Sequence, residues 1–252
     1  MLKRKILVGT FHKSGTKLME AVWHQVCTEH KLVVRHKSLH PNNPPEGWQV
    51  CLEHHSRLEP ELQAGNCRVV FVIRDPRDLV INGAHCHAWS EEKWLHTPRP
   101  DFGGLSCHQK INSLPEGEER YLFEMSGVGG HTIRDMLSVV SKLGPESYLA
   151  RLETLTTDYD LTEFHRIFSF LGFGGDMIPS LLSIAYRNSI FSGQVGPSRH
   201  IRSGKPAQWK THFTPRVLHA FMRQFPHAPE RLGYEPSSEA ALGACLRMVE
   251  AC

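Results

Sequence analysis

The apolar positions of this chain follow two periods, and the two alternate along its first half. Ile6-Leu7-Val8 is a short continuous apolar run that ends at Gly9. Leu18, Met19, Val22, Trp23 and Val26 then recur at i, i+3 and i+4 spacing, which predicts an amphipathic helix over residues 17–29. Residues 32–34 read as a second short strand and 48–52 as a third. Residues 68–73 (RVVFVI) carry the clearest strand signal. They are β-branched and continuously apolar, as a central parallel strand buried on both faces must be. The run ends in Arg74-Asp75-Pro76-Arg77-Asp78, where a helix begins with proline near its first turn.

The remaining pattern is more broken. A short helix is predicted over 58–64, with Gly65-Asn66 as its stop. Further helices are predicted over 118–125, 131–143, 161–171, 181–186 and 239–250, and one more strand over 147–152. Residues 38–47, with three prolines, are turn chemistry. Residues 86–117 are rich in Pro, Gly, His and Trp and read as a long functional loop. Its Trp89, Trp94 and Phe102 are candidates to line a substrate cavity, or to pack the loop on the body. Residues 192–213 read as a second polar loop. Strand and helix in alternation predict an α/β fold: a doubly wound parallel sheet with flanking helices, in one domain over 1–252. Ligands of such sheets sit beyond the carboxyl ends of the strands.

Composition narrows the function without naming it. The 252 residues are 40% hydrophobic and 22% charged, ordinary values for a globular protein. A net charge of +3 does not indicate general nucleic-acid binding, although a local basic pocket for a small anion fits it. Seven cysteines include no C-x-x-C pair, which predicts a reduced, cytoplasmic protein. The apolar start is too short for a signal peptide or a membrane span. The 17 histidines are scattered and do not by themselves assign a role.

Candidate chemistry concentrates in residues 5–16, KILVGTFHKSGT. A strand, a loop of small residues and a helix start place several N–H groups at one point and favour an anion there. The nucleotide P-loop pattern is G-x-x-x-x-G-K-[ST]. Here Lys13 precedes Gly15 instead of following it, with Ser14 between them and Thr16 and Lys17 after. Arg74 lies at another strand end, which brings it toward the same edge of the sheet.

Three stretches taken together resemble the PAPS-dependent sulfotransferases, the cytosolic type in particular. Thr10-Phe11-His12-Lys13-Ser14-Gly15-Thr16 is similar to that family's T-[FY]-P-K-S-G-T loop, with His12 in place of proline. Residues 70–78, VFVIRDPRD, resemble its strand ending in R-[ND]-P-x-D. Residues 202–210, RSGKPAQWK, resemble R-K-G-x-x-G-D-W-K. The resemblance spans residues 5–213 and is thin between 87 and 145.

It implies a P-loop-containing, nucleotide-binding α/β fold and the donor 3′-phosphoadenosine 5′-phosphosulfate (PAPS), which leaves as 3′,5′-ADP. The reaction moves a sulfuryl group to a hydroxyl or amine of a small-molecule acceptor, with no metal expected. By this resemblance Lys13, Ser14, Gly15, Thr16 and Lys17 hold the 5′ end. Lys13 also stabilises charge on the bridging oxygen as sulfate leaves. Arg74 takes the 3′-phosphate. Asn82, standing where the family has serine, adds an amide donor, and Arg202, Ser203 and Gly204 close over the phosphate. Residues 192–213 become a cofactor-closing loop, and 86–117 an acceptor-site loop. The catalytic base falls in Glu53-His54-His55, and the residues leave open which of the three it is.

Leu18 and Leu152 stand at the family's adenine-stacking aromatic positions. Neither nucleic acid nor a membrane is expected as a partner, and a homodimer is compatible. Two rival readings stay open: a P-loop small-molecule kinase, and a non-catalytic nucleotide-binding relative. The kinase requires a lysine after Gly15, where the chain has Thr16.

Overall fold

The structure, a computed structural model, describes residues 4–37, 44–58, 61–62, 65–196 and 204–237. Five strands form one parallel sheet: β1 (Lys5–Thr10), β2 (Val34–His36), β3 (Val50–Glu53), β4 (Cys67–Ile73) and β5 (Ser147–Arg151). Their order is β2-β3-β1-β4-β5. The chain starts at the centre, builds to one edge and then to the other. Gly9 pairs in register with Glu53 and with Phe71, so the ends of β3 and β4 flank the end of β1.

Eleven α-helices are described: α1 (Thr16–Glu29), α2 (Pro76–His87), α3 (Cys107–Asn112), α4 (Glu118–Ser126), α5 (Val128–Val140), α6 (Leu152–Thr156), α7 (Thr162–Leu171), α8 (Ile178–Asn188), α9 (Trp209–His212), α10 (Pro215–Gln224) and α11 (Ala228–Arg231). The α/β expectation, a parallel sheet with flanking helices, holds.

The chain divides into two compact units. The first joins the residues up to Arg74 with 138–204, and the second joins 75–137 with those from 205 on. The first unit holds the whole sheet. Alternate side chains of its central strands serve opposite faces, because the strand period is two. Ile6, Val8, Val70 and Val72 pack with Val22, Trp23 and Val26 of α1 and with Phe164, Phe168 and Leu181 of α7 and α8. Leu7, Val69 and Phe71 turn to the other face, against Cys51 and Leu58. Both faces are covered, which explains why β1 and β4 read as unbroken apolar runs. The second unit is helical and is cored by Leu79, Ile81, Tyr121, Trp209 and Phe221.

Several predicted boundaries shift. The second strand lies at 34–36, two residues later than its apolar pattern. The strand predicted over 147–152 ends at Arg151, because Leu152 begins α6. Residues 86–117 are more ordered than a loop. They hold the end of α2, 3-10 turns at Lys93–His96 and Pro100–Phe102, and α3. A reciprocal capping box between Ser106 and Gln109 starts α3. Helix α10 was not foreseen. Its signal was a Thr214 cap with Pro215 at its first turn, followed by buried Val217, Leu218 and Phe221. The helix predicted at 239–250 lies outside the described residues. No helix among the described residues is long and apolar enough to cross a membrane.

Candidate functional site

The segment between β1 and α1 is wound tightly. Ser14 is fully buried. Its hydroxyl accepts from the Phe11 N–H at 2.7 Å and faces the carbonyl oxygens of Phe11 at 2.9 Å and Val72 at 2.8 Å. One hydroxyl proton serves both carbonyls. In the sequence reading this hydroxyl bonds the anion; here its proton is committed to the loop and to β4. The Ser14 N–H is also engaged, with the Phe11 carbonyl at 3.0 Å. Thr16 Oγ1 lies 2.9 Å from Thr10 Oγ1, across the mouth of the turn. Gly9 admits the close approach of its neighbours: a Cβ there would stand 2.6 Å from the Phe71 ring and 2.9 Å from Ser56 Oγ.

Two left-handed residues shape the turn. Lys13 has φ 63°, a conformation that costs a non-glycine residue about 1–2 kcal/mol. Gly15, the N-cap of α1, has φ 98°. A side chain at Gly15 is doubly excluded, since its Cβ would also stand 2.7 Å from Leu152 Cδ1. No side chain caps α1, and its first turn carries no acidic residue. The first N–H groups of a helix have no intrahelical acceptor. The partial positive charge of the helix start is therefore not offset by an acid of its own first turn. Leu18 and Leu152 sit partly buried at the rim of the core beside this turn.

Arg74 arrives from the end of β4. Its Nη1 donates to the Lys13 carbonyl at 3.3 Å, which brings the guanidinium to the loop. The structure thus unites Lys13, Ser14, Gly15, Thr16 and Arg74. Lys17 is directed elsewhere: its ammonium is 2.9 Å from Glu20 Oε2.

Beyond β3 the chain turns around Glu53. This buried carboxylate accepts from the His55 N–H at 2.9 Å and the Arg57 N–H at 2.6 Å. Glu53 therefore acts as the staple of its turn. His54 Nε2 lies 3.0 Å from Glu20 Oε1. Burial works to raise the Glu20 carboxyl, but the Lys17 ammonium with the His54 and His24 rings outweighs it and holds that carboxyl below its ordinary range. His24 Nε2 lies 2.8 Å from His36 Nε2, and the His36 and His54 rings are 6.4 Å apart. His55 is exposed, and among the described residues no hydrogen bond reaches its ring. The company of Glu20, His24 and His36 around His54 was missed in the sequence. Glu20 and His24 are one helical turn apart, but His36 joins them only through the fold.

In the second unit, the rest of the R-D-P-R-D and W-K motifs has a structural part. Asp75 caps α2 by accepting the Arg77 N–H at 2.9 Å. It also takes Arg77 Nε at 2.9 Å and Nη2 at 2.8 Å, a bidentate pair with Arg77 fully buried. The Arg77 guanidinium lies over Trp209, 3.8 Å from the ring centroid, and Asp78 Oδ1 accepts the Trp209 N–H at 2.9 Å. Asn82 lies half-buried on α2. Trp94 meets the His87 ring at 5.3 Å, and Phe102 meets Phe123 at 5.4 Å, so these two aromatics pack on their own unit. In the first unit, Gly204 has φ 64° and lies against Ile190. Arg202 and Ser203 fall outside the described residues.

No protein-family model matches the chain. No curated protein matches it in sequence. Solved structures do match. The mouse sulfotransferase SULT7A1 complexed with PAP is similar over 99% of this chain and 90% of its own, at 14% identity and a TM-score of 0.62. Retinol dehydratase in complex with androsterone and inactive cofactor PAP is similar over 95% of this chain and 84% of its own, at 12% identity and a TM-score of 0.54. The sulfotransferase domain from the curacin biosynthetic pathway is similar over 93% of this chain and 99% of its own, at 14% identity and a TM-score of 0.51. At these identities the likeness is one of fold. The chain has the sulfotransferase fold, as its three motifs imply.

Proposed function

We propose that this protein is a PAPS-dependent sulfotransferase acting on a hydroxyl or amine of a small molecule. The observation that carries the reading is the start of α1. Its N-cap is a left-handed glycine, no side chain caps it, and the Arg74 guanidinium is drawn to the carbonyl of Lys13 in the same turn. That donor set is cationic and rich in N–H groups, which suits a phosphosulfate. The PAP complexes of two structures with this fold support the choice of donor.

In this reading the N–H groups at the start of α1, with the Thr16 hydroxyl, hold the 5′-phosphate, and Arg74 takes the 3′-phosphate. Phosphate contacts by Asn82, Arg202, Ser203 and Gly204 remain assignments by motif. The acceptor oxygen attacks sulfur, and the bond from sulfur to the 5′-phosphate oxygen breaks. The acceptor proton passes to a histidine of the 54–55 pair, and the Lys13 ammonium meets the charge left on the phosphate oxygen. His55 is the better placed of the two, because its ring is exposed while that of His54 is held by Glu20. Leu18 and Leu152 offer adenine an apolar contact surface in place of an aromatic stack.

The test is thermal unfolding with 3′,5′-ADP and, separately, with ATP and magnesium. At about 100 times its dissociation constant, 3′,5′-ADP should stabilise by about 2.7 kcal/mol, raising the midpoint by about 5–10 °C. Stabilisation by ATP-magnesium alone would favour a kinase, and no shift with either would sink the reading.

A further inference from the structure

The polar face of α1 meets two strand ends of the first unit, and four side chains converge there. Glu20 and His24 lie at i and i+4 on α1, so they share one face of the helix. His36 is the last residue of β2, and His54 directly follows β3. These strands are parallel neighbours, with His36 in register with Leu52. Glu20, His36 and His54 each offer one ligand atom, and those atoms lie within 4.8 Å of one another. The Glu20 Oε1 to His54 Nε2 separation is 3.0 Å, and that between the Nε2 atoms of His24 and His36 is 2.8 Å.

These spacings approach those inside a first coordination shell. Zinc–nitrogen and zinc–oxygen bonds of about 2.0–2.2 Å place tetrahedral ligands about 3.3–3.5 Å apart. Small side-chain shifts would bring the donors onto one ion. Lys17 holds Glu20 Oε2 at 2.9 Å, which orients the carboxylate and leaves Oε1 toward His54. All four residues stand on or beside regular elements, which hold a ligand set better than a loop does.

We propose that Glu20, His36 and His54 form a binding site for a zinc-class transition-metal ion, with His24 nearest the fourth position. Imidazole nitrogens with one carboxylate select such ions over calcium and magnesium, which prefer all-oxygen shells. The site is distinct from the anion-binding turn, though both lie on the first unit. Occupation withdraws His54 from proton transfer and leaves His55 as the base. That consequence rests on the sulfotransferase reading; the site itself does not.

The experiment is a titration of the chelator-treated protein with cobalt(II) alone, followed by displacement with zinc. Wild-type protein should bind one equivalent and show the visible d–d bands of a low-coordinate nitrogen and oxygen site. His36→Gln and His54→Gln should each weaken binding by about tenfold or more, while Glu20→Gln weakens it less and His55→Ala not at all. Far-ultraviolet circular dichroism confirms that each variant is folded. Binding in His36→Gln and His54→Gln equal to wild type would overturn the proposal, as would a thiolate-to-cobalt charge-transfer band or no binding. The readout uses no PAPS, so a negative result leaves the sulfotransferase reading standing. A failed 3′,5′-ADP shift likewise leaves the metal site standing.

Discussion

Helix α2 begins with its N-terminal charge already answered, whereas helix α1 begins open. Asp75 caps α2, Pro76 removes one of the orphan donors, and Asp78 adds an acid to the first turn. The buried Arg77 guanidinium pairs with both oxygens of Asp75. At α1 the N-cap is a left-handed glycine, no side chain caps the helix, and the nearby charges are Lys13 and Arg74. Both starts follow apolar strands in sequence, and both carry a conspicuous cation. The difference is where the negative charge comes from. In α2 the chain supplies it, so the arrangement stabilises the fold. In α1 neither the cap nor the first turn supplies an acid, and that helix start suits an anionic ligand.

Substitutions at the two starts should therefore fail in different ways. The largest effect is expected at α2. Asp75→Ala removes the cap and leaves the buried Arg77 charge without its carboxylate, which should lower stability by about 3–5 kcal/mol. Chemical denaturation measures this, and 3′,5′-ADP should not change the size of the loss. Next comes Lys13→Ala, which should reduce sulfuryl transfer about 10²- to 10³-fold. Its unfolding midpoint should stay near wild type, because alanine at φ 63° carries the same left-handed strain as lysine. A variant that kept its turnover would remove Lys13 from the chemistry and erase the contrast.

The smallest effect is expected at Ser14. Ser14→Ala leaves the buried Phe11 N–H without its acceptor, which should cost about 1–3 kcal/mol of stability. If instead the variant unfolds like wild type but binds 3′,5′-ADP poorly, the Ser14 hydroxyl belongs to the ligand and not to the loop.

Much of this contrast was legible in the chain. The apolar runs at 6–8 and 68–73 announced the two central strands, because both faces of a buried parallel strand must be apolar. The pairing of Arg77 with Asp75 lies within three residues of sequence, so it needs no long-range contact. Ser14 was harder. A serine in an anion loop suggests a ligand contact, and only the packing of β1 against β4 reveals that Val72 offers its carbonyl. His54 was harder still. Its partners come from α1 and β2, and their meeting depends on a strand order that has β2 at the edge and β3 beside it. Boundaries slipped where burial is partial, as at β2, where only Val34 of the apolar run is paired in register.

The strand pairings also show where the chain tolerates elaboration. Val69 of β4 pairs with Ser147 of β5, a wider separation along the chain than that of Lys5 with Cys67 or Ile6 with Val50. Most of the second unit is threaded between those neighbouring strands. Closure entropy grows only logarithmically, by about 0.6 kcal/mol for each doubling of the loop. Lengthening or rebuilding the chain between β4 and β5 is therefore cheap for the sheet. The turn between β1 and α1, tied by Ser14 to Val72 of β4, can stay unchanged while that stretch of sequence diverges.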